Sequence, residues 1–233
     1  IPVDIGVARP VETPGVRQCC VRRGTADITQ GPAMTVEEAR RAVEVGIDLA
    51  FELKNRGVRL LATGEMGIGN TTTSAAVACA LLDRPAWEMT GRGAGLSTQG
   101  LERKIRAVET ALAVNAPRRD DPLDALRKVG GLDLAGLAGV FLGGAACRLP
   151  VLVDGFISSV AALAACRMCP ACGDYLLASH LSDEPASALV LEALGLRPLI
   201  RAGMRLGEGT GAVAVMPLLD MGLAVYAGVP TFA

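Results

Sequence analysis

Apolar positions along the chain form short runs that alternate with longer segments of helical period. The runs at residues 58–62, 150–153 and 175–179 predict strands, and the first is expected to be buried on both faces. Helical spacing predicts helices at residues 35–56, 70–82, 98–114, 122–128, 133–147, 157–168 and 184–194, and from residue 212 onward. Thr35 and Glu38 form a capping box before the first helix, and Gly57 ends it.

Strands that alternate with helices indicate an α/β fold built on a parallel sheet with helices on both faces. We expect an irregular N-terminal segment at residues 1–34, an α/β domain at residues 35–211, and a C-terminal helix at residues 212–233. In such folds ligands bind at the carboxyl ends of the strands. The turns at residues 64–73, 154–156, 179–184 and around Glu208 are therefore the candidate binding loops.

Composition supports a large core and narrows the function classes. Apolar residues make up 51% of the 233 residues, aromatic residues only 3%, and the net charge is −1. The chain therefore has few aromatic side chains to stack on bases and no excess positive charge to bind phosphates, which disfavours nucleic-acid binding. The longest uncharged stretch, residues 134–147, is too short to span a bilayer and predicts a buried helix. Seven cysteines, an odd number, favour the reducing cytoplasm. A chain that opens with Ile1 suggests a trimmed or incomplete N-terminus.

Residues 64–72, Gly-Glu-Met-Gly-Ile-Gly-Asn-Thr-Thr, follow a predicted strand and open a helix. Such a turn can bind an anion through free N–H groups, or it can simply cap the helix, with Asn70 or Thr71 as the N-cap. The lysine of a phosphate-binding Walker loop is missing, which counts against a kinase or ATPase. Glu65 does not suit a pure phosphate site, and it suggests chemistry or binding of a sugar hydroxyl.

Two charged residues stand beside glycine turns. Lys104 flanks the apolar stripe of its helix by roughly 60°, and on this placement alone a side chain that extends to solvent is favoured over a site lysine. Glu208 lies between Gly207 and Gly209. In an apolar site its pKa would rise into the range of a general base, but the spacing alone favours an ordinary acid at a helix start.

The cysteines and the single histidine are weaker candidates for functional residues. Cys166, Cys169 and Cys172 have the spacing of metal ligands, but no fourth ligand is near and Pro170 interrupts the helix, so packing is favoured. The single histidine, His180, excludes a histidine-rich metal site, and we expect a polar loop residue or a core histidine with its hydrogen bonds satisfied.

Taken together, six motifs resemble the nicotinate-nucleotide:dimethylbenzimidazole phosphoribosyltransferases. They are the 64–72 turn, Gly-Arg-Gly-Ala-Gly at residues 91–95 with Lys104, Asp121-Pro122 with Val-Gly-Gly at 129–131, Asp-Gly-Phe-Ile-Ser at 154–158, Ala-Ser-His at 178–180, and Met-Arg-Leu-Gly-Glu-Gly-Thr-Gly-Ala at 204–212. The resemblance implies that Glu208 is the catalytic base, with Glu65 as the second candidate. It implies a mononucleotide site lined by Glu65, Gly67, Gly93, Lys104, Asp154 and Ser182. Gly69, Asn70, Thr71, Ser179 and Leu206, beside the same motifs, complete the candidate substrate-binding set.

The resemblance further implies a three-layer Rossmann-like fold, a small helical domain drawn from the chain ends, and a homodimer. It implies transfer of phosphoribose from nicotinate mononucleotide to 5,6-dimethylbenzimidazole, with no metal and no organic cofactor. Two departures stand out. Family members carry an N-terminal segment that supplies part of the benzimidazole pocket, and Ala186-Ser187 stand where they usually have Gly-His. A non-catalytic nucleotide-binding fragment is therefore the alternative.

Overall fold

Parallel strands organise the computed structural model, which describes residues 1–10 and 12–230. The strands are β1 (Val3–Asp4), β2 (Arg17–Gln18), β3 (Leu61–Ala62), β4 (Val151–Val153) and β5 (Leu176–Ala178). β1 pairs with β2, and β3, β4 and β5 form a second parallel sheet in that order. A parallel bridge between His180 and Ile200 extends this sheet beyond β5. The predicted α/β class with a parallel sheet is confirmed.

Nine helices surround these strands within the described residues. They are α1 (Val36–Asn55), α2 (Asn70–Leu82), α3 (Ala86–Met89), α4 (Thr98–Asn115), α5 (Pro122–Val129), α6 (Leu132–Ala146), α7 (Phe156–Met168), α8 (Ser187–Ala193) and α9 (Thr210–Gly228), and a 3₁₀ helix covers Pro170–Tyr175. The capping box is confirmed: the Thr35 hydroxyl accepts from the Glu38 amide at 3.1 Å, and the Glu38 carboxylate accepts from the Thr35 amide at 2.8 Å. Gly57, at φ +85°, ends α1 in the left-handed region.

The core lies around β4, α6 and α7. All three residues of β4 are buried, and so are ten consecutive residues of α7 from Phe156. α1 packs closely on α6, because a Cβ on Gly46 or Gly139 would overlap the backbone of the facing helix. β3 and β4 contribute Leu61, Val151 and Val153 to this core, which positions the turns that follow the two strands.

Several predicted boundaries are wrong. β3 is shorter than the apolar run, and Ala62 is exposed, so the strand is not buried on both faces. On the sheet face that Ala62 shares with Leu152, the first turns of α9 pack on Leu152, and Ala62 stays exposed. The last α/β helix begins at Ser187 rather than residue 184, since the Ser187 amide closes a turn on the Glu184 carbonyl. The irregular N-terminal segment contains the short strands β1 and β2.

The C-terminal helix is mostly unburied. Ala212 and Val215 pack on Leu152, whereas most later apolar side chains of α9 are exposed. By length and composition, α9 is the one helix of the described chain that could cross a membrane. A single helix of this kind is weak evidence for a membrane span. The predicted C-terminal helix spans residues 212–233, and its last three residues lie outside the described residues.

Candidate functional site

All four candidate loops converge at the carboxyl ends of the β3–β4–β5 sheet. The Thr63 hydroxyl donates to the Leu152 carbonyl at 3.0 Å and accepts from the Asp154 amide at 3.3 Å, which joins the first two loops. A Cβ on Gly64 would lie 2.6 Å from the amide nitrogen of Gly209, a contact that real side chains avoid. Glycine at position 64 thus lets the loop after β3 touch the turn that begins α9.

This backbone contact brings two carboxyl groups together. A Cβ built on Gly207 would lie 2.8 Å from Oε1 of Glu65, so the Glu65 side chain sits directly against the turn that carries Glu208. Glu65 is half-buried and Glu208 is exposed. The two candidate catalytic carboxyl groups therefore share one site, one facing inward and the other facing solvent.

Burial raises the pKa of Glu65 to about 7, although a hydrogen bond from Asn70 acts in the opposite direction. The negative charges of Asp133, Asp154 and Glu208 add to the increase. A carboxyl group with such a pKa exchanges its proton near neutral pH, which suits acid–base chemistry.

Asn70 departs from its predicted role. Gly69, at φ +83°, is the N-cap of α2, and neither Asn70 nor Thr71 caps the helix with its side chain. The amide of Asn70 instead donates to Oε2 of Glu65 and, at 3.0 Å, to Oδ2 of Asp133. The Asn70 side chain bonds these two carboxyl groups instead of capping the helix, because hydrogen bonds to charged acceptors are stronger than those to neutral ones.

Asp133 was absent from the predicted site. It lies in the first turn of α6, directly after the predicted Val-Gly-Gly motif, and a Cβ on Gly67 would lie 2.9 Å from its Oδ2. Its position next to that motif is the only signal in the sequence that could have found it. Gly67 therefore lies against the Asn70–Asp133 pair at the mouth of the 64–69 turn.

Lys104 turns inward, and the expectation of a side chain that extends to solvent is wrong. Only 7% of it is exposed, and Nζ donates at 2.9 Å to the Thr71 hydroxyl and at 2.9 Å to the Gly91 carbonyl. Burial lowers the pKa of Lys104, while the charge of Glu184 acts to raise it. An ammonium has three donors, and two are used here, so one remains for a ligand.

Gly93 and a neighbouring pocket extend the lysine site. A Cβ on Gly93 would lie 3.0 Å from the Thr71 hydroxyl and 3.6 Å from Nζ of Lys104, so glycine keeps the approach to the ammonium open. Beside it lies a pocket of about 260 Å³. It is lined by Thr90, Gly91, Arg92, Leu101, Asp183, Glu184, Pro185 and Arg205. Its two arginines were not among the predicted site residues, although Arg92 lies in the 91–95 motif and Arg205 in the 204–212 motif.

Asp154, Ser179 and His180 form a buried network below α9. The carboxylate of Asp154 accepts from the amides of Gly209 and Ala212, both at 3.0 Å. The Ser179 hydroxyl donates to the Asp154 carbonyl at 3.1 Å and lies 3.0 Å from Nδ1 of His180. His180 is a core residue, but its Nε2 has no hydrogen-bond partner among the described residues, so the prediction that its hydrogen bonds are satisfied is wrong for this nitrogen. Burial lowers the His180 pKa, against an opposing effect of the Asp154 charge.

The remaining candidates lie at the edges of the site. Ser182 is buried, and its hydroxyl accepts from the Glu184 amide at 3.4 Å. Leu206 is 68% exposed, two residues before Glu208. Met66 and Ile68, in the loop after β3, are exposed as well. Apolar side chains exposed beside carboxyl groups form a surface suited to a flat apolar ligand.

Of the three clustered cysteines, Cys166 lies in the last turn of α7, Cys169 directly after its end, and Cys172 in the 3₁₀ helix that follows. Cys172 is buried, Cys166 half-buried and Cys169 exposed, and burial raises the pKa of Cys166 to about 11 and of Cys172 to about 12. Within the described part of the chain, no group of three or more His, Cys, Asp or Glu side chains is arranged to hold a metal.

Comparison with known proteins places this site in a family. A family model described as Phosphoribosyltransferase matches residues 1–233. The protein named nicotinate-nucleotide–dimethylbenzimidazole phosphoribosyltransferase from Acetivibrio thermocellus is 53% identical over 230 residues, and its namesake from Pseudomonas aeruginosa is 48% identical over 232. The crystal structure of CobT from Thermus thermophilus superposes with a TM-score of 0.92 at 45% identity, covering 99% of this chain and 71% of that one.

Coverage is unequal in these matches. The alignments include 99% of this chain but 66% of the Acetivibrio and Pseudomonas proteins, so the chain spans just under two thirds of the length of these relatives. The match nevertheless runs from the first residue to the last and includes every loop of the site. The chain belongs to the nicotinate-nucleotide–dimethylbenzimidazole phosphoribosyltransferase family.

Proposed function

We propose that the protein transfers phosphoribose from nicotinate mononucleotide to 5,6-dimethylbenzimidazole, giving α-ribazole 5′-phosphate and nicotinate. The observation that carries this proposal is the pairing of Glu65 with the Glu208 turn at the strand ends, with the Glu65 pKa at about 7. Family membership supplies the substrates, and the carboxyl pair supplies the chemistry that they require.

The reaction needs one base and no acid. Nicotinate leaves from a cationic pyridinium, and its departure neutralises that charge. The incoming benzimidazole must lose its N–H proton as it attacks C1′, so a carboxylate must accept that proton. A β substrate and an α product require inversion, hence a single displacement.

We assign Glu208 as the base that accepts the benzimidazole proton. It is exposed and stands beside Leu206, where a flat apolar base could lie. A base docked there would exclude water from the carboxylate that accepts its proton. Glu65, already half-buried, is the rival base, and in our proposal it contacts the ribose of the mononucleotide.

The phosphate has a separate site in this proposal. The free donor of Lys104 and the N-terminus of α2, which lacks a side-chain cap, both favour an anion. Gly67, Gly69 and Gly93 allow the backbone to approach it, and Thr71 orients the lysine. Asn70, Ser179 and Ser182 complete the proposed substrate-binding set, together with Leu206 for the acceptor base.

Several wider features belong to the same proposal. The sheet with helices on both faces forms a three-layer Rossmann-like domain at residues 35–211, after an N-terminal segment at 1–34. Residues 212–233, which include most of α9, belong to a small helical domain. The protein works as a homodimer in the cytoplasm, without metal or organic cofactor and without a nucleic-acid or membrane partner. The odd number of cysteines supports the cytoplasm, and the low aromatic content supports the lack of a nucleic-acid partner.

Product analysis tests the proposal. The protein is mixed with nicotinate mononucleotide and 5,6-dimethylbenzimidazole, and α-ribazole 5′-phosphate is measured. Binding of the mononucleotide without transfer would instead favour a non-catalytic nucleotide-binding module. Glu208→Gln should bind the mononucleotide normally but lose about 10²–10⁴-fold in turnover, because glutamine cannot accept the proton.

The matched variant is Glu65→Gln. Normal turnover in Glu208→Gln together with collapse in Glu65→Gln would reverse the assignment of the base. Near-normal turnover in both variants would contradict a mechanism that depends on a single carboxylate.

A further inference from the structure

The turn that carries Glu208 has an unusual backbone. Gly207, Glu208 and Gly209 have φ values of +75°, +58° and +81°, three left-handed residues in succession. Glycine adopts this region freely, but an L side chain such as that of glutamate is disfavoured there. A non-glycine residue stays in such a conformation only where its surroundings fix it.

Asp154, which follows the end of β4, holds this turn in its left-handed conformation. It is 2% exposed, and its two carboxylate oxygens accept separately from the amides of Gly209 and Ala212, each at 3.0 Å. One bond thus holds the end of the left-handed turn, and the other holds the first turn of α9. A carboxylate at a helix N-terminus also stabilises the unpaired amides there.

The network behind Asp154 holds it in place. The Thr63 hydroxyl accepts from the Asp154 amide at 3.3 Å, and the Ser179 hydroxyl donates to its carbonyl at 3.1 Å. The ring of His180 packs so closely under α9 that a Cβ on Gly211 would overlap it. Strands β3 and β5 therefore brace Asp154 on both sides, and His180 limits the movement of the helix above.

We infer that Asp154 is a positioning residue that holds the strained 207–209 turn and so aims the Glu208 carboxylate, rather than a ligand of the mononucleotide. Both of its oxygens are already occupied by the turn it holds. The inference rests on the proposed function, since it assigns Asp154 a role through the proposed base.

A double-mutant cycle separates positioning from substrate contact. The protein is assayed at its full natural length as wild type, Asp154→Asn, Glu208→Gln and the double variant, with single-turnover product analysis for the slow variants. Asparagine cannot accept from both amides, so Asp154→Asn should lower kcat by roughly 10–100-fold and change the KM for nicotinate mononucleotide by less than about twofold. In the Glu208→Gln background the same change should alter turnover by less than about twofold, because its effect passes through Glu208.

A matched control is Asp4→Asn. Asp4 is also 2% exposed, and its carboxylate accepts from two backbone amides, Gly6 at 2.9 Å and Val7 at 2.8 Å, away from the proposed site. This variant should lower the melting temperature and leave kcat unchanged. If Asp154→Asn does not fold, Gly209→Ala strains the same turn and should show the same kcat pattern with an unchanged KM.

The outcomes are distinct. An equal fall in turnover in both backgrounds, or a rise in KM that exceeds the fall in kcat, would overturn the inference and make Asp154 a substrate ligand. Full kcat in Asp154→Asn, or in Gly209→Ala if that variant is used, would also overturn it. A wild-type protein that forms no α-ribazole 5′-phosphate would contradict the proposed function instead, whatever the variants do.

Discussion

Burial limits which partners the charged side chains of this site can bind. Lys104 has no carboxylate among its hydrogen-bond partners, and it keeps a free donor beside the glycines of residues 91–95. Lys104→Ala should therefore weaken binding of nicotinate mononucleotide by roughly 1.5–3 kcal/mol, the typical value of a hydrogen bond to a charged group, and affect dimethylbenzimidazole less. Isothermal titration calorimetry with each ligand measures both affinities.

Arg103→Ala is the control for Lys104, because Arg103 is exposed on the same helix. It should leave both affinities unchanged. Mononucleotide binding that is equally strong in Lys104→Ala and wild type would show that the lysine serves packing alone.

The raised pKa of Glu65 predicts that the free energy of unfolding depends on pH. Its pKa is about 7 in the folded chain against an ordinary value of 4.5, so the folded state holds the proton more tightly. The free energy of unfolding should therefore fall as pH rises from about 4.5 to 7, by roughly 2–3 kcal/mol from this group, allowing for its remaining contact with solvent. Urea denaturation at pH 4.5 and 7.5 should show this difference between wild type and Glu65→Gln. If the two proteins have the same pH dependence, the carboxyl group is solvated as in the unfolded chain.

The sequence indicated most of the residues that the structure brings together at the strand ends, but not their partners. Gly64, Glu65, Lys104 and Glu208 lie in motifs with fixed spacing. Whether Lys104 points inward depended on the Gly91 carbonyl and the Thr71 hydroxyl, which lie far from it in sequence. The contacts of Asn70 with Asp133, and of Asp154 with α9, join separate elements and leave no local pattern.

At the level of elements, the packing of α1 on α6 depends on glycine. A Cβ on Gly46 would overlap the Gly136 carbonyl, and a backbone group cannot move aside as a flexible side chain can. Gly46→Ala should destabilise the protein by about 1–3 kcal/mol. The control is Gly173→Ala in the 3₁₀ helix: a Cβ there meets nothing within 4 Å, so alanine should change the stability by less than about 0.5 kcal/mol. Chemical denaturation of both variants measures the difference, and equal stability would contradict close helix packing.

Elements with a strong period or a clear cap were the most predictable. The capping box of α1, the break after α7 and the turn into α9 all appear as expected. The apolar run at residues 58–62 was less informative, because the side of a strand that is covered depends on elements distant in sequence. The weakly apolar strands β1 and β2 have two residues each and no distinguishing pattern.

At the level of the whole molecule, the far half of α9 lacks a partner within the described residues. Met221 is 57% exposed, Leu223 65%, Val225 64% and Tyr226 88%. Several large apolar side chains exposed around one helix mark an interface, because their exposure to water is unfavourable. We expect a second copy of the protein to cover it, in line with the proposed homodimer.

Charge introduced into this surface tests that expectation. Leu223→Lys combined with Tyr226→Lys should raise the dimer dissociation constant at least tenfold, or more than about 1.4 kcal/mol, because a buried unpaired ammonium is strongly disfavoured. Size-exclusion chromatography with light scattering, across a dilution series, measures the mass of the full-length protein. Phe51→Lys, at an exposed position on α1, should leave the mass unchanged. If the α9 variant keeps the wild-type mass but loses unfolding stability, another part of the same chain covers α9, and the dimer contact lies elsewhere.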